Sequence, residues 1–513
     1  MNEKNERKED VRTKEAEIIV DKVEKAIEKQ KTDDKSGKIH DETKIKEHLE
    51  RSKEYSLKDG AYLNATVGFG ENYMSAYAVA LKASAHEIGL LTSIPNMIAP
   101  LAQLATSRYM EKHSRRSIVS IALFFEILMW LPIIAVAFLF LKDIKYAPLL
   151  LVLFYTIYAL FRNFASPAWV SWMGDIVHTK ESGVFFGKRN KLGGISALIS
   201  MVLAGILLDL FKLKSMTSTS FYLPFLGFII IFLLAMFSRV ISRYYVLKQY
   251  EPHFRFQKEA YFSFWQFVKK IPQSNYGKFA LFVALMHLAQ HIASSYYALY
   301  MLRDLQFSYV QFMAINVSAS IATFIFMTKW GKFSDRFGNI KVAKVCSMLI
   351  PVVCFLWSIS MFIAMPYKLY FLLLANFFSG FAWAGFNLAV GNFVYEAATP
   401  QRRGLCSAYS SILNGFGIVI GVTIGSILIS NLNITFMNVI LFVSLLSGVA
   451  RYAVAITFFG RIKDVRNIEE KSHWSYIPLA SEIYNLNDYI AENFLRVKGT
   501  IKKDWKPQAN SNP

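Results

Sequence analysis

Cysteine is almost missing from this chain: only Cys346, Cys354 and Cys406 occur in 513 residues. The first two are eight positions apart, about 12 Å along a helix and too far for a bridge. No CxxC pair exists, so the three thiols read as small buried hydrophobes and are silent on redox compartment. Charge is scarce as well. Charged residues make up 18% of the chain against 54% apolar ones, and mean hydropathy is +0.31, whereas soluble domains carry roughly 25% charged residues. An ordinary string of soluble domains is excluded. The opening "MNEKNERKED" lacks the apolar stretch of a signal peptide, so the tail is expected to be retained. A phosphate-binding GxxxxGK[ST] loop is missing, which argues against nucleotide-driven work. So is any nucleophile–base or metal constellation, and neither an enzyme nor a cofactor is expected.

What the chain has instead is long apolar runs, each sufficient to cross roughly 30 Å of hydrocarbon as a helix. Spans are predicted near 61–82, 86–106, 117–141, 147–175, 190–211 and 220–243, then 278–301, 308–330, 341–364, 367–394, 405–430 and 434–459. The fold class is therefore an all-α membrane protein with twelve transmembrane helices.

A net charge of +20 raises the question of nucleic acid. Residues 1–57 hold 15 Lys/Arg against 16 Asp/Glu, so the excess belongs to the membrane part. Loops 107–116, 176–191, 239–278, 329–344 and 400–404 carry 23 Lys/Arg, against 7 on the opposite side. That asymmetry is the positive-inside rule. It places both termini in the cytoplasm, fits a multi-pass protein of the cell membrane, and removes the need for nucleic acid.

The predicted organisation is a charged tail (1–57), a six-helix bundle (58–243), a basic linker (244–277), a second six-helix bundle (278–460) and a polar tail (461–513). In the last, Ile483, Leu486, Ile490, Phe494 and Val497 repeat at helical spacing and predict an amphipathic helix on the inner leaflet.

The two bundles read as one unit written twice. "SRYMEKHSRRSI" (107–118) aligns with "GKFSDRFGNIKV" (331–342), matching Ser107 with Gly331, Glu111 with Asp335, Lys112 with Arg336 and Ser114 with Gly338. "GENYMSAY" (70–77) aligns with "AQHIASSY" (289–296), and "MGDIVHTKESGVFFGKR" with "VGNFVYEAATPQRRGLCSA". Three matches at corresponding positions imply a parallel repeat of six plus six.

On these residues the chain resembles the major facilitator superfamily over about 61–460. Its signature between spans 2 and 3, roughly G-x-x-x-D-R-x-G-R-R/K, is met by Gly331, Asp335, Arg336 and Gly338, while Ser107 and Glu111 stand in for Gly and Asp in the first half. The resemblance implies two pseudo-symmetric bundles and secondary transport by alternating access. It also implies a conformational latch at the inner ends, formed by Glu111, Lys112, Gly331, Asp335, Arg336 and Gly338. Physically, glycine permits the tight turn, and the acidic and basic groups can meet a helix end and a carboxylate.

A charged group at mid-bilayer costs about 2.5–3.5 kcal/mol and needs a partner or a wet cavity. Glu71 and Arg162 lie at similar predicted depth and could pair. Glu126 could compete for Arg162. Arg162 in "FRNFASPAW" resembles the family's span-4 arginine pattern R-x-x-Q-G, with Ala165 and Ser166 in place of Gln and Gly, which implies a part in proton coupling. Span 7 carries His287, Gln290 and His291; the H-x-x-x-H spacing suits a metal, but with no third ligand the expected role is hydrogen bonding or protonation in a cavity. Span 10 offers Asn376, Trp383 and Asn387. The family fold lines its cavity with spans 1, 4, 7 and 10, which implies a shared substrate and proton pathway of Glu71, Asn72, Glu126, Arg162, His287, Gln290, His291, Trp383 and Asn387. Span 5 lacks the G-P-x-x-G-G antiporter pattern. The expected partners are a small-molecule substrate, protons and the lipid bilayer, with a monomer as the working unit. A lipid or lipid-linked translocase and a non-transporting receptor are the alternatives.

Overall fold

A computed structural model describes residues 46–110, 112–177, 181–217, 223–252, 263–365, 367–398 and 402–463. Among them every regular element is helical. Eleven helices are long and apolar enough to cross a membrane: Ala85–Thr106, Arg115–Leu141, Ala147–Ile176, Val184–Lys214, Leu223–Leu247, Asn275–Asp304, Tyr309–Phe337, Asn339–Phe362, Tyr367–Ala397, Leu405–Asn431 and Val439–Phe458. They are spans 2 to 12. Span 1 is assembled from a helix over 46–69, a 3-10 turn Glu71–Tyr73 and a short helix Met74–Ala80. Twelve spans in two sets of six make the predicted all-α membrane fold. The helix predicted over 483–497, most of the N-terminal tail and Glu111 lie outside the described residues.

Span 7 is broken where span 1 is. Its helix Asn275–His291 gives way to a 3-10 turn Ser294–Tyr296, and a π turn closes it at Tyr300–Asp304. Tyr73 donates to the Met201 carbonyl of span 5 at 2.6 Å, and Tyr296 donates to the Val422 carbonyl of span 11 at 2.7 Å. The repeat is thus real, but its register at this point is corrected by one helical turn. Tyr73, not Tyr77, is the counterpart of Tyr296, because the backbone break and the buried hydroxyl both fall there.

Other contacts recur in both halves. Ser84 and Ser308 cap the second span of each half through capping boxes with Glu87 and Gln311. Thr106 and Trp330 bind carbonyls of the fourth span, Phe164 and Phe381, at 2.7 and 2.9 Å. Gly338 has φ 88° between spans 8 and 9, a left-handed turn that glycine takes without strain. On span 11, Gly417, Gly421 and Gly425 bring span 7 into backbone contact: a β-carbon on any of them would run into the carbonyl oxygens of Ala284, Leu288 or Ile292. Without a hydrophobic drive between helices in lipid, such small-residue seams supply the packing.

At the end of the bundle that the charge count predicts to be outer, one apolar core takes in Tyr73, Tyr77, Trp130 and Phe228 of the first half with Tyr296, Leu299, Phe312 and Trp357 of the second. On the inner side the buried cores are separate, one built around Trp172 and the other around Trp330 and Phe393. The halves therefore share one core at the first end, while at the other their buried cores are distinct and span 2 still touches that of the second half through Leu104.

Candidate functional site

Between the halves lies a cavity of about 1330 Å³. Span 1 contributes Asn64, Asn72 and Ser75 to its wall, span 5 Asn190, Lys191 and Ile195, and span 7 Gln290, His291, Ser294 and Ser295. Span 8 adds Asn316, Ser320 and Thr323, span 9 Trp357, span 10 Asn376 and Trp383, and span 12 Arg451. The two broken turns supply residues because unwinding frees backbone and short polar side chains at mid-depth, where an intact helix would bury them. Carboxamides, hydroxyls and aromatic faces dominate the lining. Its ionisable residues are Lys191, His291, Tyr297 and Arg451, with no carboxylate among the described lining.

The outer end is closed by a contact between the halves. Asp209 of span 5 accepts from the backbone N–H groups of Tyr309 and Val310 at 2.7 and 2.9 Å. A carboxylate there satisfies otherwise unpaired donors at the positive end of span 8, and Lys212 sits 5.7 Å above the Tyr309 ring. Further in, spans 5 and 8 both line the cavity, as far as Gly187 and Thr328. Spans 2 and 11 stay packed, Gly415 lying against the Asn96 backbone.

Of the residues predicted from sequence, Asn72, Gln290, His291 and Trp383 line the cavity. Glu71 and Arg162 do form an ion pair, and Tyr158 donates to Glu71 at 2.8 Å. Neither lines the cavity, and no span-4 residue does, so the expectation that span 4 forms its wall is corrected. The pair sits at the seam of spans 1 and 4, behind Asn72. Glu126 does not compete for Arg162. It is fully buried and holds Arg239 of span 6 through two bonds of 2.9 and 2.8 Å. Arg239 reaches Ser242, Ser242 reaches Asp59, and Asp59 accepts from Arg189. This chain ties spans 1, 3, 5 and 6 together; Arg239, counted above with the inner loops, is a span residue.

His287 stands just outside the lining, its ring 6.1 Å from Trp383 and 6.3 Å from His291, with the Gln290 side chain beside it. His291 Nδ1 meets the Ser295 hydroxyl at 3.2 Å. Asn387, one turn inward of Trp383, is exposed and outside the lining. At the predicted latch, Lys112, Asp335 and Arg336 are exposed at the inner face, and Gly331 has room around it. The inner turns are tied instead by Arg115 to Asp175 at 2.5 Å in the first half and by Asn339 to Glu396 at 2.7 Å in the second.

Sequence reasoning missed Asp209, Arg115 and Arg451. The last is the clearest omission. It stands alone as a charge within the apolar run of span 12 and satisfied the same mid-bilayer criterion that selected Glu71.

A twelve-span protein with a polar cavity between two pseudo-symmetric halves is a membrane carrier in architecture. The model of the Major Facilitator Superfamily matches residues 62–283 and 279–499, and the chain belongs to that family. No curated protein matches it. Among solved structures it is similar to the nucleoside transporter NupG, at 16% identity and a TM-score of 0.57 over 81% of this chain and 99% of that one. It is also similar to a bacterial homologue of the iron transporter ferroportin in the inward-facing state, at 13% identity and 0.62 over 80% and 99%. A third likeness is to the xylose transporter XylE from E. coli, at 12% identity and 0.55 over 82% and 98%. These likenesses establish the fold; the protein is a transporter rather than an enzyme.

Proposed function

We propose that this protein is a secondary transporter working by alternating access, seen here in its inward-facing state, with both termini on the cytoplasmic side of the cell membrane. The observation that carries this reading is the cavity itself: midway between the halves, with carboxamides and hydroxyls set among apolar walls, and shut at one end by a shared core. Its amide, hydroxyl and aromatic lining, without carboxylates among the described residues, fits a polar organic solute and not a metal cation.

Proton coupling, in this reading, belongs to Glu71. Its carboxylate shares a proton-bearing neighbourhood with Tyr158 and Arg162 and retains some accessible surface, whereas Glu126 is sealed. The signature residues Asp335 and Arg336 belong, in this reading, to the closure of the inner ends.

A thermal-stability screen of the purified protein against sugars, nucleosides, organic acids and divalent metals, followed by counterflow in proteoliposomes, tests the proposal. Binding raises apparent stability by mass action, so a true cargo should raise the melting temperature and exchange across the membrane. Failure of every stabilising solute to exchange, or stabilisation by metals alone, refutes it. A second reading, an amphipathic cargo entering from the inner leaflet, is favoured by the seam of spans 5 and 8, where the cavity-lining Ile195, Phe324 and Met327 are also exposed.

A further inference from the structure

We propose that Arg451, with Gln290 and His291 beside it, forms a subsite for an anionic group on the cargo, best met by a carboxylate carrying a neighbouring hydroxyl or amine. The inference rests on the carrier reading above and narrows its substrate class.

Arg451 is 3% exposed, 13th of the 21 residues of the helix Val439–Phe459, and lines the cavity. Its Nη2 donates to the Gln290 carbonyl at 3.2 Å, while its Nε is buried with no partner. Spans 7, 9 and 11 pack against span 12, and Asp304 is their sole acidic residue among those described. Asp304 lies at the outer end, engaged by Arg303 and Asn438, about 20 Å along the helix from Arg451 at 1.5 Å per residue. Through 278–460 the only other acids are Asp335 and Glu396, at the inner ends of spans 8 and 10.

A buried guanidinium without a counter-charge is costly within a membrane. Such a group is retained where a ligand supplies the missing charge, and arginine's planar fork fits carboxylates and phosphates in particular. Beside it the Gln290 side-chain oxygen is buried within reach of the His287 ring and can also accept from a donor next to the anion. Tyr297, stacked on Trp357 with centroids 4.2 Å apart, gives a flat apolar wall alongside. The subsite therefore asks for negative charge, an adjacent O–H or N–H, and a compact carbon frame.

The test uses the full-length protein in detergent, melted with lactate, gluconate or glucuronate and with their neutral counterparts lactamide and glucose. At least one anion should raise the melting temperature by several degrees where its neutral counterpart does not. Arg451→Gln keeps a donor for the Gln290 carbonyl and removes the unpaired charge; it should melt no lower than wild type without ligand and lose the anion shift. Arg451→Lys should keep a reduced shift, and it serves in place of the Gln variant should that not fold. A shift that survives in Arg451→Gln, or none with any of the three anions, overturns the subsite. A lipid phosphate as the source is separated by melting in phosphatidylglycerol against phosphatidylcholine nanodiscs, where stabilisation by the anionic lipid that needs Arg451 points to the bilayer. Counterflow by the wild-type protein tests the carrier reading on its own, so the two can fail separately.

Discussion

Two glutamates inside the first bundle show how surroundings divide the work of one side chain. Glu126 has no accessible surface and both oxygens on Arg239; Glu71 is partly exposed and shares its oxygen between Tyr158 and Arg162. Removing one partner of a buried pair costs about 3–5 kcal/mol, so Glu126→Gln should lower the melting temperature clearly. Glu71→Gln should melt close to wild type, lose uptake driven by a pH gradient, and keep counterflow, which needs no net proton movement. Equal loss of counterflow in Glu71→Gln would assign that residue to cargo binding instead. Both glutamates were visible in the sequence as mid-span charges, and matching depth was enough to pair Glu71 with Arg162, but not to find Arg239 as the partner of Glu126. Pairing depends on which helix faces are turned together, and a single chain read by hydropathy fixes depth without fixing rotation. Arg451 was equally visible by depth. Asn387 shows the converse, a residue of suitable type on the expected span that falls one turn beyond the cavity.

Element boundaries were legible wherever an apolar run ended in charge or glycine, as at Gly338. The breaks in spans 1 and 7 were not, because "ENY" and "SSY" carry no proline and lie inside runs that hydropathy reads as single spans. What unwinds them is tertiary: buried tyrosine hydroxyls bonded to carbonyls on spans 5 and 11. The glycine seam of span 11 is the opposite case, a pattern whose meaning is purely steric. Gly421→Leu would drive a side chain into the Leu288 backbone. Overpacking a tight core costs typically about 1–3 kcal/mol, and backbone offers less give than a side chain. A strongly lowered melting temperature or failed folding is expected, measured by fluorescence-detected size exclusion against Gly460→Leu, where a β-carbon meets nothing. Indistinguishable profiles would mean that spans 7 and 11 separate more readily than their contact implies.

For the whole molecule, the outer closure concentrates at one carboxylate on one helix start. Charge at a helix N-terminus contributes about 0.3–1 kcal/mol, and up to about 2 when partly buried. That is enough to shift a two-state balance several-fold. Asp209→Ala should populate an outward-open form. Met301, buried at the cavity's outer end, reports it: Met301→Cys should react with an impermeant maleimide from outside several-fold faster when Asp209 is also replaced. The three native thiols are buried and give little background. An unchanged rate would place the outer closure in the shared apolar core alone.

The paired breaks in spans 1 and 7 also bear on how such a closure could give way. Beyond each 3-10 turn only a short outer piece remains, Met74–Ala80 on one side and Tyr297–Asp304 on the other, and each tyrosine pins its turn to a neighbouring helix. Backbone jointed at that level can tilt above the pin while everything below keeps its packing. Opening outward then needs a few residues per side to swing on fixed pivots before either bundle turns as a block.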